Sequence, residues 1–242
     1  MKLVILENYE ELSKASAKEV IEIVKAKPNA ILGLATGSTP VGLYKELIKA
    51  CERKEISFKN VKTVNLDEYY PISHDNNQSY RYFMNDNLFN HIDIDIKNTQ
   101  VPNGEALDPD KECERYEEYV ASLGGADIQV LGIGNNGHIA FNEPMDDKVY
   151  LKTHLVSLTE NTIEANARFF KSKDEVPTRA LTMGIGTILS AKKIIILISG
   201  KAKHNALMAL LDADFVDSKC PASYLKFHKD VIVFADKDAY NG

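Results

Sequence analysis

One stretch of the sequence places several groups that can carry protons beside a glycine-rich turn. Residues 132–144 contain Asn136, His138 and Glu143, and they follow an apolar run at residues 127–131 that has the length of a buried strand. Glycine lets the backbone turn sharply and approach a ligand closely. In open α/β sheets, ligands bind at the carboxyl ends of the strands. The stretch therefore predicts a site for proton transfer, on a turn that follows a strand.

The glycines of this stretch also match a dinucleotide-binding pattern. Gly132, Gly134 and Gly137 fit G-x-G-x-x-G, but that motif requires a helix that opens at the last glycine and an acidic residue about 20 positions later. Pro144 would end such a helix within about two turns. The stretch also lies in the middle of the chain and not in a leading βαβ unit. We therefore do not interpret these glycines as a dinucleotide-binding motif.

A histidine in such a loop can also be a hydrogen-bonded core residue. Because Asn136 and Glu143 stand near it, we expect His138 to transfer a proton, since an imidazole with a partner titrates near neutrality. A metal site is not expected, because the six histidines show no ligand spacing with cysteines or carboxylates. No cofactor is expected either.

A second candidate loop follows the apolar run at residues 30–35 and precedes a predicted helix. Thr36, Gly37, Ser38 and Thr39 offer hydroxyls and backbone N–H groups where a phosphate or sulfate would bind at a helix N-terminus, with Pro40 at the first helical position. The G-K-[ST] ending of a Walker A loop is missing. The alternative is a simple helix cap by Ser38 or Thr39.

Charged residues supply the remaining candidates. Asp67 and Glu68 end an apolar run at residues 61–66, where a carboxylate with a raised pKa could serve as a base; the alternatives are a helix cap and an ion pair. Arg168 and Lys203 are candidate phosphate ligands. Each would otherwise be a solvated surface charge.

The hydrophobic pattern predicts the elements that position these groups. Strands are expected at residues 3–6, 30–35, 61–66, 127–131, 193–199 and 231–235, with a β-like stretch at 150–158, a short apolar stretch at 180–183 and a loop at 98–109. Helices are expected at residues 9–27, 79–91, 110–123, 160–170 and 221–228, and after residues 40, 184 and 203. This alternation predicts an α/β fold with an open, mostly parallel, Rossmann-like sheet and helices on both faces. Residues 1–242 are expected to form a single domain, with a candidate lid around residues 145–170.

Composition excludes several classes of protein. The chain has 242 residues, a formal net charge of −6 and 44% apolar residues, which fits a folded α/β protein and argues against nucleic-acid binding as its main function. No apolar run has transmembrane length, and the apolar run at the N-terminus is too short for a signal peptide. Cys51, Cys113 and Cys220 are far apart, which predicts a cytoplasmic protein without a disulfide framework.

Taken together, these motifs resemble the glucosamine-6-phosphate deaminase family. The matching segments are residues 34–40, 65–69, 132–144, 165–170, 180–187 and 200–203, in the order of the family and over nearly the whole chain. The string Gly-His-Ile-Ala-Phe-Asn-Glu-Pro at residues 137–144 is highly specific. The resemblance implies one deaminase-like domain that binds glucosamine 6-phosphate without a cofactor, as a monomer or small homo-oligomer, with neither nucleic acid nor membrane as a partner.

The resemblance also implies a reaction and a role for each residue. The reaction would convert glucosamine 6-phosphate and water to fructose 6-phosphate and ammonia, by an enzyme of the hydrolase or isomerase class. His138 would open the sugar ring by moving a proton at the ring oxygen, with Asn136 and Glu143 orienting or tuning it. Asp67 would then carry a proton from C2 to C1 through an enolamine. The residues implied in binding the substrate and its phosphate are Thr36, Gly37, Ser38, Thr39, Arg168 and Lys203.

Two departures from the family pattern bear on these expectations. Many members have an aspartate where this chain has Asn136, and an amide can orient His138 but adds no charge. The loop at residues 145–151 is short and acidic, whereas members that are allosterically activated have a longer loop with basic residues. We therefore expect no activation by N-acetylglucosamine 6-phosphate.

Two other functions remain as alternatives. A 6-phosphogluconolactonase shares the fold and a similar glycine loop, but it typically has Asp-Glu-Arg where this chain has Asp67, Glu68 and Tyr69, and it lacks the Phe-Asn-Glu-Pro string. A non-catalytic sugar-phosphate sensor would not need Asp67, His138 and Glu143.

Overall fold

The computed structural model describes residues 1–146, 148–160, 163–164, 170, 172, 175–212 and 214–242. The strands are β1 (Lys2–Leu6), β2 (Ile31–Leu34), β3 (Lys62–Asn65), β4 (Asp67–Tyr70), β5 (Thr99–Gln100), β6 (Ile128–Leu131), β7 (His154–Ser157), β8 (Arg179–Thr182), β9 (Ile194–Ile198) and β10 (Val231–Asp236). The helices in the described part are α1 (Tyr9–Ala26), α2 (Val41–Glu52), α3 (Tyr80–Asn87), α4 (Pro109–Ser122), α5 (Ile185–Leu189), α6 (His204–Leu211) and α7 (Lys237–Asn241). None of the helices described is both long and apolar enough to cross a membrane.

The main sheet has the strand order β1-β10-β9-β6-β2-β3-β5, and all its neighbouring strands are parallel. Its central strands β9, β6 and β2 are buried along their whole length. Strands of this kind need helices over both faces, because each face must be shielded from water. The predicted fold, an open parallel α/β sheet with helices on both faces, is confirmed.

Two apolar layers cover the two faces of this sheet. On one face, α1 and α2 bury side chains such as Leu12, Leu43 and Tyr44 against the strands. On the other face, α4, α5 and α6 contribute to a second cluster that includes Tyr116 and Leu207. The two layers leave the loops at the carboxyl edge of the sheet free to form a site.

A second, smaller sheet was not expected from the sequence. It consists of β4, β8 and β7, with antiparallel pairing throughout. The chain passes from one sheet to the other at Leu66, whose N–H donates to Leu34 O at 3.1 Å and whose carbonyl accepts from Met183 N at 2.8 Å. Asp67 therefore follows the end of β3, as expected, and it also begins a second strand, β4, which the sequence did not predict.

Several element boundaries also differ from the expected ones. The helix expected at 79–91 ends at Asn87, because Leu88 leaves the helical conformation before a 3-10 turn at Phe89–His91. The loop expected at 98–109 contains the two-residue strand β5, which pairs with β3. The helix expected at 221–228 is a 3-10 helix over Pro221–Phe227. The helix expected at 160–170 lies largely outside the described residues.

Candidate active site

Four loops that the sequence motifs single out lie at one edge of the main sheet. They follow β9, β6, β2 and β3, which are neighbours in that order and run in the same direction. The chain winds outward from β2 through β3 to β5, and it then returns to β6 on the other side of β2. The carboxyl edge between β2 and β6 is therefore a topological switch point, where open α/β sheets bind ligands.

The glycine loop after β6 forms a tight turn under the imidazole of His138. Gly134 N donates to His138 O at 2.9 Å, and Gly137 N donates to Gly134 O at 3.0 Å. A Cβ atom at Gly134 would lie 2.2 Å from His138 Cε1, so the ring packs directly on the backbone of Gly134. Gly137 has a φ of +85° and a carbonyl that accepts from Ala222 N at 2.9 Å. Gly134 and Gly137 therefore serve this loop conformation.

Asn136, His138 and Glu143 form one hydrogen-bonded group. Asn136 Nδ2 donates to Glu143 Oε2 at 2.8 Å, and Asn136 Oδ1 accepts from His138 N at 3.2 Å. The same Glu143 oxygen lies 3.4 Å from His138 Nδ1. The side chain of Glu143 is buried, whereas that of His138 keeps 28% of its surface exposed. The carboxylate can therefore orient an imidazole whose other edge remains open to a ligand.

Hydrogen bonds connect this loop to β8, the strand that pairs with β4, on which Asp67 lies. Thr182 lies directly opposite Asp67 in the antiparallel pairing of β4 with β8. Thr182 Oγ1 accepts from Phe141 N at 3.1 Å, and the buried Asn142 donates through Nδ2 to Met183 O at 2.8 Å. Sequence reasoning missed Thr182, because its role depends on a cross-sheet contact. Asn142 could have been found from its place in the specific string at residues 137–144.

Asp67 and Glu68 are both buried but have different surroundings. Burial, together with the charge of Glu68, raises the pKa of Asp67 well above its ordinary value of 3.8. Burial also raises the pKa of Glu68 to about 7, although the backbone N–H groups of Tyr80, Arg81 and Tyr69 oppose the rise. Those three N–H groups donate to the Glu68 carboxylate at 2.8–2.9 Å. Glu68 therefore binds the start of α3, which leaves Asp67 as the candidate base.

The loop between β2 and α2 has a backbone suited to an anion. Gly37 has a φ of +90°, and both Gly37 and Ser38 are exposed. The N-terminus of α2 has Pro40 at the N-cap position and no side-chain cap. The alternative of a simple helix cap by Ser38 or Thr39 is therefore wrong, and Pro40 lies one position before the first helical residue.

The loop after β9 places Lys203 directly before α6. Gly200, with a φ of +90°, donates its N–H to Asp236 Oδ1 at 3.0 Å, and Ser199 Oγ donates to Asp236 Oδ2 at 2.5 Å. The buried Asp236 thus fixes the start of this loop from β10. Arg168 lies outside the described residues. Within the part of the chain that the structure describes, no group of three or more His, Cys, Asp or Glu side chains could hold a metal ion.

The candidate lid around 145–170 lies only partly within the described residues. Its segment at 151–153 is anchored, because Glu117 Oε2 accepts from both Thr153 N and Thr153 Oγ1 at 2.8 Å. Upstream of the anchor, the ring of Tyr150 stacks on His154 with a centroid separation of 4.1 Å. Lid closure stays a prediction.

Comparisons of the sequence show which known proteins the chain resembles. A family model described as glucosamine-6-phosphate isomerases/6-phosphogluconolactonase matches residues 7–234. The chain is 53% identical over 241 residues to a glucosamine-6-phosphate deaminase of Clostridium beijerinckii, with 100% of this chain and 99% of that protein covered. It is 54% identical over 239 residues to a protein of the same name from Thermoanaerobacter sp. (strain X514), with 99% of this chain and 94% of that protein covered.

Two solved structures are similar to this chain over nearly its whole length. A monomeric glucosamine-6-phosphate deaminase superposes with a TM-score of 0.95 at 50% identity, covering 100% of this chain and 99% of its own. A 6-phosphogluconolactonase from Thermotoga maritima superposes with a TM-score of 0.75 at 22% identity, covering 98% of this chain and 99% of its own. The second likeness shows a shared fold alone.

Proposed function

This chain belongs to the family of glucosamine-6-phosphate isomerases and 6-phosphogluconolactonases, and we propose that it converts glucosamine 6-phosphate to fructose 6-phosphate and ammonia. The relatives that share about half of its residues are named as deaminases. The hydrolase class expected from the sequence is therefore dropped in favour of a deaminating isomerase. One observation best supports the reaction. Thr182 pairs with Asp67 across the small sheet and accepts a hydrogen bond from the loop that carries His138, so the two candidate catalytic residues are held in one structure.

The first step is opening of the sugar ring at His138. The C1 hydroxyl loses its proton, the bond between C1 and the ring oxygen breaks, and the ring oxygen gains a proton. An imidazole can act at both atoms, because it donates in one protonation state and accepts in the other. Glu143, 3.4 Å from Nδ1, orients the ring, and Asn136 holds the Glu143 carboxylate in place.

The second step is proton transfer by Asp67. The carboxylate removes the C2 proton of the open-chain aldehyde while water supplies a proton to the aldehyde oxygen, which gives an enolamine with a C1 hydroxyl. The carboxyl group then returns its proton to C1, which gives a C2 iminium. Water adds to C2, the C2–N bond breaks, and ammonia leaves. Burial raises the pKa of Asp67, which makes its carboxylate a stronger base than one in water.

Phosphate binding is assigned to the loop between β2 and α2. Thr36, Gly37, Ser38 and Thr39 supply hydroxyls and backbone N–H groups beside the N-terminus of α2, where the helix dipole favours an anion. Lys203, from the loop after β9 at the same edge of the sheet, adds positive charge, and Arg168 has the same proposed role. These groups hold the phosphate end of the substrate, which is the end remote from C1 and C2.

The test is release of ammonia and fructose 6-phosphate from glucosamine 6-phosphate, with no metal or cofactor added. We expect both products in equal amounts, and Asp67→Asn should lower kcat by about 10²–10⁴ fold. Asp127→Asn is the control, because Asp127 is also buried but lies at the opposite edge of the sheet, between Lys27 and Lys192. Hydrolysis of 6-phosphogluconolactone without ammonia release would favour the lactonase. Binding without turnover would favour a sensor.

We also propose that the protein is a monomer without allosteric activation, as the short acidic loop at 145–151 suggests. The structural relative at 50% identity is a monomeric deaminase. Substrate saturation curves with and without N-acetylglucosamine 6-phosphate should superpose. A several-fold rise in apparent substrate affinity on adding that compound would contradict this proposal.

A further inference from the structure

The hydroxyl of Tyr9 binds the backbone on both sides of Pro40. Tyr9 is the first residue of α1, and it lies outside every motif that the sequence singled out. Its Oη donates toward Ser38 O at 3.1 Å and Thr39 O at 3.0 Å, and it accepts from Gly42 N at 2.8 Å. One side chain from another helix thus contacts the loop and the first turn of α2 at three points.

The position of this hydroxyl is fixed by close packing of α1 on α2. Ser13 Oγ donates to Tyr9 O at 2.8 Å, one turn along α1. A Cβ atom at Gly42 would lie 2.1 Å from Ser13 Oγ and 2.9 Å from Tyr9 Oη. Only a glycine at this position allows the two helices to approach so closely. The absence of a side chain at Gly42 is therefore what lets Tyr9 reach the backbone.

The direction of these bonds determines how the loop presents its N–H groups. The peptide unit between Ser38 and Thr39 is planar, and in the trans form its carbonyl and N–H point in opposite directions. Because the Ser38 carbonyl turns toward Tyr9, the N–H of Thr39 turns away from it. The hydroxyl also occupies the N–H of Gly42, one of the donors that a helix N-terminus leaves unpaired.

We propose that Tyr9 is a positioning residue for phosphate binding. Its hydroxyl keeps the carbonyls of Ser38 and Thr39 turned toward α1, so that the Thr39 N–H points at the phosphate. This inference rests on the proposed assignment of residues 36–39 to the substrate phosphate. Without the hydroxyl, Thr39 O loses this donor and Ser38 O keeps the longer bond from Val41 N at 3.4 Å. That one long bond holds the peptide unit between Ser38 and Thr39 less firmly, so the unit can rotate. An oxygen turned toward a phosphate would then repel it.

The test compares Tyr9→Phe with Tyr82→Phe, a control in which an exposed hydroxyl on α3 is removed. We expect Tyr9→Phe to raise the KM for glucosamine 6-phosphate and the Ki for inorganic phosphate about five- to tenfold, which is the effect of losing one or two hydrogen bonds. Its kcat should stay within about twofold of wild type, since the groups that transfer protons are unchanged. Tyr82→Phe should match wild type in all three quantities.

A second readout does not depend on turnover. Inorganic phosphate should raise the Tm of the wild type, and Tyr9→Phe should reduce that rise while Tyr82→Phe preserves it. Gly42→Ala, which places a methyl group against the Tyr9 hydroxyl, should weaken phosphate binding in the same way and serves if Tyr9→Phe does not fold. A wild-type KM and phosphate Ki in Tyr9→Phe, or a kcat that falls as much as KM rises, overturns the inference. If the wild type shows no turnover but its phosphate response depends on Tyr9, the proposed function fails and this inference stands.

Discussion

Asn136 donates its amide N–H to Glu143 Oε2 at 2.8 Å, and the same carboxylate oxygen lies 3.4 Å from His138 Nδ1. A single oxygen thus links the amide to the imidazole. The amide can hold the carboxylate in place, but it contributes no charge to it. The amide therefore positions the carboxylate that faces His138 and adds no second negative charge beside it.

Loss of the amide at position 136 should lower activity. In Asn136→Ala, Glu143 Oε2 loses the amide donor that lies 2.8 Å away, so the carboxylate can turn away from His138. We expect kcat/KM to fall about tenfold, which is the effect of losing one hydrogen bond to a charged group. Asn135→Ala is the control, because Asn135 is exposed in the same loop. Equal losses in both variants would show that the bond to Glu143 does not matter for activity.

Asp67→Asn should make the protein more stable at neutral pH. Because the pKa of Asp67 is raised in the folded state, the folded chain keeps its proton at pH values where the unfolded chain has lost it. Stability from this group is therefore complete below about pH 3.8 and falls as pH rises toward the folded-state pKa. The neutral amide avoids that loss, and we expect a gain of about 1–2 kcal/mol at pH 7.

The measurement is urea denaturation of wild type and Asp67→Asn between pH 4 and pH 8. The difference in unfolding free energy should be small at pH 4 and grow as pH rises. A difference that does not vary with pH would mean that the Asp67 carboxyl titrates equally in the folded and unfolded chains. The same variant should lose most of its turnover, so its stability rises while its activity falls. Such a trade-off is expected of a residue whose role is catalysis and not stability.

Glu68→Gln should move the acidic limb of the pH profile. The charge of Glu68 contributes to the raised pKa of Asp67. Its removal should let Asp67 ionise more easily, so the acidic limb of kcat/KM should move to lower pH by about half a unit. Glu112→Gln is a matched control, since Glu112 is also buried and accepts a backbone N–H, from Asn103 at 2.8 Å. A limb that stays in place in Glu68→Gln would exclude coupling between the two carboxylates.

Most of the main sheet could be predicted from the sequence because strands such as β2, β9 and β10 are largely continuous apolar runs. Residues 193–199 give an apolar pattern typical of a strand buried on both faces, and β9 occupies that place. Most candidate residues of the site followed from the same logic, since they stand after such runs. The fold therefore brings Asp67, His138 and the loop at 36–39 to one edge of the sheet.

The small antiparallel sheet could not be predicted in the same way. Residues 67–70 are polar and aromatic, and their strand exists only because β8, more than a hundred residues later, pairs with them. The contacts of Thr182 and Tyr9 are also non-local, since they reach Phe141 and the loop at 38–42 across the fold. No periodicity along the chain reports such contacts.

Gly134 and Gly132 differ in the space that a side chain would have at each position. Both belong to the glycine loop, but a Cβ atom at Gly134 would lie 2.2–2.4 Å from three ring atoms of His138, whereas nothing lies within 4 Å of a Cβ atom at Gly132. In Gly134→Ala, the imidazole must move from its present position, because the loop backbone is fixed by hydrogen bonds. A displacement of about 1 Å at a catalytic group costs about 100-fold in rate.

We therefore expect kcat/KM to fall at least about 100-fold in Gly134→Ala and by less than about tenfold in Gly132→Ala. Phosphate binding, measured from the Tm rise with inorganic phosphate, should be unchanged in both variants, because the loop at 36–39 lies on another strand. Equal losses of activity in the two variants would mean that the loop needs glycine for its own conformation. A loss confined to Gly134→Ala would instead place the requirement at the imidazole, since the two substitutions add the same methyl group to the same loop.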